Sequence, residues 1–86
     1  MRILDKGSRD IVSLPEKYHI FSVMEVGRNS KAGTVTCSFA DEDYTWTTTT
    51  PSYAFDAVQR GGVALIRDIV EYVKSHPAAS TPDVDI

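Results

Sequence analysis

Residues 50–77 read TPSYAFDAVQRGGVALIRDIVEYVKSHP, and the fold turns on whether this stretch is one helix or two pieces. Ala54, Val58, Gly62, Leu65, Ile69 and Val73 recur at helical spacing, and Ala57, Gly61, Ile66 and Val70 widen the apolar stripe. Thr50-Pro51 supplies a start: threonine can cap a free amide, and proline at the first helical position loses a donor that has no partner there. Lys74 and His76 suit the negative end of the helix dipole, and Pro77 stops the helix. The expectation is one long C-terminal helix. Its irregularity is Gly61-Gly62, because each glycine inside a helix costs about 1 kcal/mol relative to alanine.

Three explanations of that pair remain open at this level. The helix kinks or breaks there; or Ala54, Ala57, Gly61 and Ala64 form a small-residue ridge for close packing within the chain; or the same ridge is an interface for a partner helix. An unbroken helix of roughly 25 residues would be about 37 Å long. Strands of this chain reach only about 20–30 Å, so a continuous helix would overhang its sheet.

Working outward, Thr34 to Ala40 alternates cleanly, with Val35, Cys37 and Phe39 on one face and Thr34, Thr36 and Ser38 on the other. Tyr44 to Thr49 follows with Tyr44, Trp46 and Thr48 opposed to Thr45, Thr47 and Thr49. Tyr18 to Val26 is rich in β-branched and aromatic residues on both faces, which predicts a central strand covered on both sides. Gly27 to Gly33 reads as a seven-residue hairpin loop, and Ala40-Asp41-Glu42-Asp43 as a tight acidic turn. Short connections favour a meander. The expected fold class is α+β: a three-stranded antiparallel meander, with a fourth strand as an option, packed against one long C-terminal helix with a kink at Gly61-Gly62 as the alternative. Residues 1–77 make the domain, 1–17 an irregular arm or extra hairpin, and 78–86 a disordered tail.

The composition excludes several function classes. Eighty-six residues with one cysteine, Cys37, permit no intrachain disulfide, and His19 and His76 lack zinc-site spacing. Cys37 alternates inward and is expected to be a buried, inert thiol. No apolar run reaches about 18 residues, and Met1 to Lys6 does not form a signal-peptide core, so a cytoplasmic protein without a membrane span is expected. The net charge of −3 divides unevenly, with six bases against four acids in residues 1–31 and three against eight in 32–86. That balance favours neither non-specific nucleic-acid binding nor DNA mimicry. No P-loop, dinucleotide pattern, calcium loop or nucleophile elbow is present. No catalytic residue, metal or cofactor is expected.

The remaining candidates are surfaces. Arg28 and Lys31, in the glycine-flanked loop, are suited to a phosphate or an acidic partner. Asp41, Glu42 and Asp43 could meet a basic one. Tyr44 and Trp46 either pack against the helix or form an aromatic platform for a partner or for stacked bases. The function these features favour is a non-catalytic protein–protein interaction module, an inhibitor or regulator of a larger assembly of phage or mobile-element type, with a homodimer as a further option. The alternative is a nucleic-acid-binding domain in which Phe21, Tyr44 and Trp46 stack bases beside Arg28 and Lys31.

The stretch from about residue 44 to 75, a threonine-rich strand end feeding into a helix after a meander, resembles the HicB-type antitoxins, although it holds no specific motif. That resemblance implies an antitoxin-like regulatory domain. Those proteins return to the sheet after their helix, whereas this chain is expected to end.

Overall fold

A computed structural model describes residues 9–41 and 44–76. Four strands, β1 (Ser22–Asn29), β2 (Thr34–Asp41), β3 (Tyr44–Pro51) and β4 (Val63–Leu65), form one antiparallel sheet in the order β3-β2-β1-β4. Two helices, α1 (Ser52–Val58) and α2 (Ile66–Ser75), flank β4 in sequence. The α+β class and the meander of β1, β2 and β3 agree with the sequence. The single long helix and the three-stranded sheet do not.

The expected helix splits because its glycines make a hairpin turn. Gly61 and Gly62 have φ of 62° and 86°, the left-handed region at both centres of a tight turn. Arg60 and Val63 flank that turn and exchange both backbone hydrogen bonds: Arg60 N–H donates to Val63 at 2.8 Å, and Val63 N–H to Arg60 at 3.1 Å. α1 has already ended at Gln59, whose extended backbone leaves the helix and whose side-chain oxygen accepts from Gly62 N–H at 2.7 Å. β4 then pairs with β1, Val23 opposite Ala64, and α2 starts when Ile66 N–H donates to Phe21 at 2.8 Å. Ten residues of α2 span about 15 Å, so nothing overhangs. The chain therefore returns to the sheet after its first helix, unlike the expected ending. The ridge does not exist as a surface: Ala54 is buried in α1, Ala57 is exposed, Gly61 is in the turn and Ala64 is buried in β4.

The helix start also differs. Thr50 caps nothing, because β3 runs on through Pro51 and buries Thr50. Ser52 N–H is instead satisfied by the Gly33 carbonyl at 2.9 Å.

Before β1, Ile11–Ser13 and Glu16–Tyr18 form 3-10 turns that seat Ile11, Leu14 and Tyr18 in the core. Tyr18 to Phe21, expected to open the first strand, are therefore not strand, and β1 starts at Ser22. Arg9 and Asp10 run parallel to β3, with Thr49 N–H donating to the Arg9 carbonyl at 2.6 Å and the Thr48 hydroxyl donating to the same oxygen. Expectations for residues 1–8 and 77–86, and for Glu42 and Asp43, lie outside the described residues.

The core lies between one face of the sheet and the helices. Val23, Val35, Cys37 and Phe39 meet Ile11, Leu14, Ala54, Phe55, Ile66, Ile69 and Val70 in one cluster. Phe55, Ile66 and Ile69 are fully buried, and such side chains each contribute about 1.5–3 kcal/mol relative to exposure.

Candidate binding face

The opposite face of the sheet is the candidate site. Residues paired across antiparallel strands share a face, so the pairings define its rows. Val63, Met24, Ser38 and Thr47 form one row across all four strands; Gly27, Thr36 and Thr49 form the next. Leu65 stands beside Ser22, and Ala40 beside Thr45. Among the described residues no helix covers this face. Met24 and Val26 are each 56% exposed, Leu65 41% and Val63 38%. The prediction that β1 is covered on both sides is thus corrected: Val23 is buried and Met24 and Val26 face outward.

No charged side chain from the four strands lies on this face, and Arg60, paired with Val63 across the turn, stands at its β4 end. A bulge in β1 contributes to that. Glu25 opposes Cys37 and Gly27 opposes Thr36, leaving Val26 as the extra residue. Simple alternation would put Arg28 outward with Met24 and Val26. The bulge shifts the phase by one, so Arg28 opposes Val35 and turns toward the helices.

There Arg28 grips Asp56 of α1 with two parallel hydrogen bonds, Nη2 to Oδ1 at 2.8 Å and Nη1 to Oδ2 at 3.0 Å. Its Nε and Nη2 also donate to Glu25 at 3.0 and 3.2 Å. The guanidinium holds the Asp56 carboxyl below the usual carboxylate range, chiefly by direct hydrogen bonding, and Asp56, then Glu25, raise the Arg28 pKa in return. Arg28 is therefore a strand-to-helix clamp and not a loop cation. Only Ser30 to Gly33 connect β1 to β2, and Lys31 is exposed among them.

The loop that carries Lys31 and the described acid Asp41 lie at opposite ends of β2, about 23 Å apart at the rise of a strand. Asp41 pairs with Tyr44 across that far end, and both are half-buried. Trp46 faces inward, with Tyr18 at 5.4 Å and Phe39 stacked at 6.4 Å between ring centroids. Phe21 joins them, 5.6 Å from Tyr18 and 5.7 Å from Phe39. The aromatic platform of the sequence-based alternative is thus replaced by an aromatic wing of the core, with Arg9 over the Trp46 ring at 5.7 Å.

Two other candidates are settled by their surroundings. Cys37 is fully buried, and burial, followed by the Glu25 charge, pushes its thiol up to about 12. His19 sits after the second 3-10 turn, its Nδ1 4.0 Å from Glu16 and its Nε2 buried without a hydrogen-bond partner among the described residues. Among the described residues no group of three His, Cys, Asp or Glu converges as a metal site, and no helix is long and apolar enough to cross a membrane.

The open face was missed in the sequence because alternation in β2 and β3 marks its threonines as merely solvated. Its apolar corner needs β4, which falls inside the stretch whose spacing predicts a helix. Compared with protein-family models, with curated proteins and with solved structures, the chain matches none.

Proposed function

We propose that the chain is a small non-catalytic protein–protein interaction module that meets its partner through the outer face of its sheet. The observation carrying this is the apolar corner of Met24, Val26, Val63 and Leu65 on a face whose strands present no charge. From those exposures the corner amounts to roughly 300–400 Å², the size at which a patch on a monomer is often functional. Threonine and serine hydroxyls beside it supply the polar surroundings common around an interface core. The reactive groups nearest this sheet support a non-catalytic role, since Arg28 is held by two carboxylates and Cys37 is enclosed. A regulator or inhibitor of a larger assembly, encoded by a phage or mobile element, fits a chain of this size.

Affinity capture from extracts of the source organism tests this, with the wild type and Met24→Lys as parallel baits. A stoichiometric protein recovered by the wild type and lost with the variant supports the module. Equal recovery by both baits, or no protein partner at all, counts against it.

A further inference from the structure

We propose that the cleft between the second 3-10 turn and α2 binds a small zwitterion, a free α-amino acid with an apolar side chain, at a site separate from the outer face of the sheet.

The cleft measures about 340 Å³, the lower end of the range for small-molecule pockets, and none of its lining residues belongs to a strand. Glu16, His19 and Ile20 make one wall, ahead of β1. Arg67, Val70, Glu71 and Lys74 make the other, on α2. The spacing of those four, i, i+3, i+4 and i+7, puts them on one face of the helix.

The polar groups of this cleft do not satisfy one another. Arg67 and Glu71 are one turn apart, and so are Glu71 and Lys74, spacings at which helical ion pairs form. Among the described residues, none of these three side chains makes an ion pair or a hydrogen bond. Glu16 on the facing wall reaches only the His19 ring, at 4.0 Å, which is too long for a hydrogen bond. The His19 side chain is 16% exposed, its Nε2 is buried, and neither ring nitrogen has a hydrogen-bond partner among the described residues. A buried polar group left this way marks a place for a further partner.

The signs of the charges name the ligand class. Two bases and two acids sum to no net charge, so the cleft as a whole favours neither an anion nor a cation. Along α2 the order is base, acid, base, with neighbours roughly 5–6 Å apart at Cβ. That alternation matches a ligand whose carboxylate and ammonium sit on one carbon. Arg67 can take the carboxylate through a fork of two N–H donors, and Glu71 can take the ammonium. Glu16 and His19 face them across the cleft. Beside these groups Val70 is buried and Ile20 is 66% exposed, so an aliphatic side chain lying on Ile20 covers apolar surface that the described chain leaves open.

The test is a titration of the isotope-labelled full chain with L-leucine from micromolar to tens of millimolar, read by amide NMR shifts, with circular dichroism to confirm that each variant is folded. Leucine is expected to bind with a Kd of about 1 mM or tighter and to shift the amides of residues 16–20 and 67–74. Leucinamide, which lacks the carboxylate, and isocaproate, which lacks the ammonium, should each bind at least tenfold more weakly. Arg67→Gln and Glu71→Gln should each weaken leucine binding at least tenfold. Asp68→Asn, on α2 outside the cleft, and Met24→Lys, on the outer face, should bind leucine as the wild type does. No shift at tens of millimolar overturns the site. Isocaproate binding as tightly as leucine overturns the zwitterion in favour of a plain anion, and leucinamide doing so overturns it in favour of a cation. Shifts confined to the four strands place the ligand on the outer face and overturn the cleft.

Discussion

Replacing Gly61 and Gly62 by alanine separates the two accounts of residues 50–77 by sign. In a helix interior each replacement would stabilise the protein by about 1 kcal/mol, because glycine is that much less favourable than alanine there. In the turn both residues have positive φ, and an L side chain in that region costs roughly 1–2 kcal/mol. A Cβ built at either position meets nothing within 4 Å, so no clash adds to that backbone cost. The restricted unfolded chain of the alanine variant returns about 0.4–1 kcal/mol. The net expectation is a loss of about 1 kcal/mol at each position, or about 2 for the pair. Urea unfolding followed by circular dichroism reads this directly. At a slope near 1 kcal/mol per molar for a small domain, the double variant should fall by about 2 M in midpoint, where a helix would have it rise by as much. Asparagine at the same positions, which tolerates the left-handed region, should recover part of the loss. Gly27→Ala is the control: its φ is not positive and a Cβ there would lie 3.8 Å from that of Thr36, so little change is expected. A midpoint that rises in both single variants would refute the turn and, with it, β4.

The clamp should be pH-dependent. Asp56 is held below its ordinary carboxyl pKa, so its contribution is present above about pH 4 and is lost as pH falls through the lowered value. With its side chain 49% exposed and screened, Asp56→Asn should shift the urea midpoint less than Gly62→Ala does, and less still in 0.5 M salt. Cys37, buried with its thiol pushed up to about 12, should resist a thiol reagent at pH 8 in the folded protein and react at once in urea; fast labelling of the native state would contradict its enclosure. Trp46, packed on Tyr18 and Phe39, should fluoresce at short wavelength and be quenched weakly by acrylamide, and strong quenching would return it to an exposed platform. Phe55→Ala removes a fully buried ring at a cost of about 3–5 kcal/mol. That is a large share of the stability expected for 86 residues, so the variant should be partly unfolded by far-ultraviolet circular dichroism at 37 °C.

Legibility followed the length over which a pattern held its phase. Alternation in β2 and β3 is unbroken across eight residues each, and their faces are as the sequence implies. The helical pattern holds within 54–58 and again within 66–73, but Leu65, counted on the stripe, is 41% exposed, and Ile66 beside it is buried. A three-residue strand is too short to show its own period, so two helical fragments on either side looked like one. The sign that pointed elsewhere was Gly-Gly between Arg60 and Val63, which is also a hairpin-turn dipeptide. Tyr18 to Phe21 misled for another reason. Tyr18 and Phe21 are aromatic because they pack in the ring cluster beside the second 3-10 turn, and strand propensity cannot be told from that demand, while Ile20 between them is 66% exposed.

The candidate face was hidden by a single residue's geometry. Alternation carried on past Val26 would give this face an arginine and deny α1 its ion pair. With the bulge, the same eight residues of β1 keep Met24 and Val26 outward and send Arg28 to Asp56, 28 positions along the chain. The cation that ties β1 to α1 is thereby the cation absent from the open face. Clamp and face are two consequences of one extra residue. A valine that is 56% exposed at such a bulge adds little to the core, so its place is better explained by what the bulge does to the two sides of the sheet. A strand built only to complete a core would need neither the bulge nor the outward methionine.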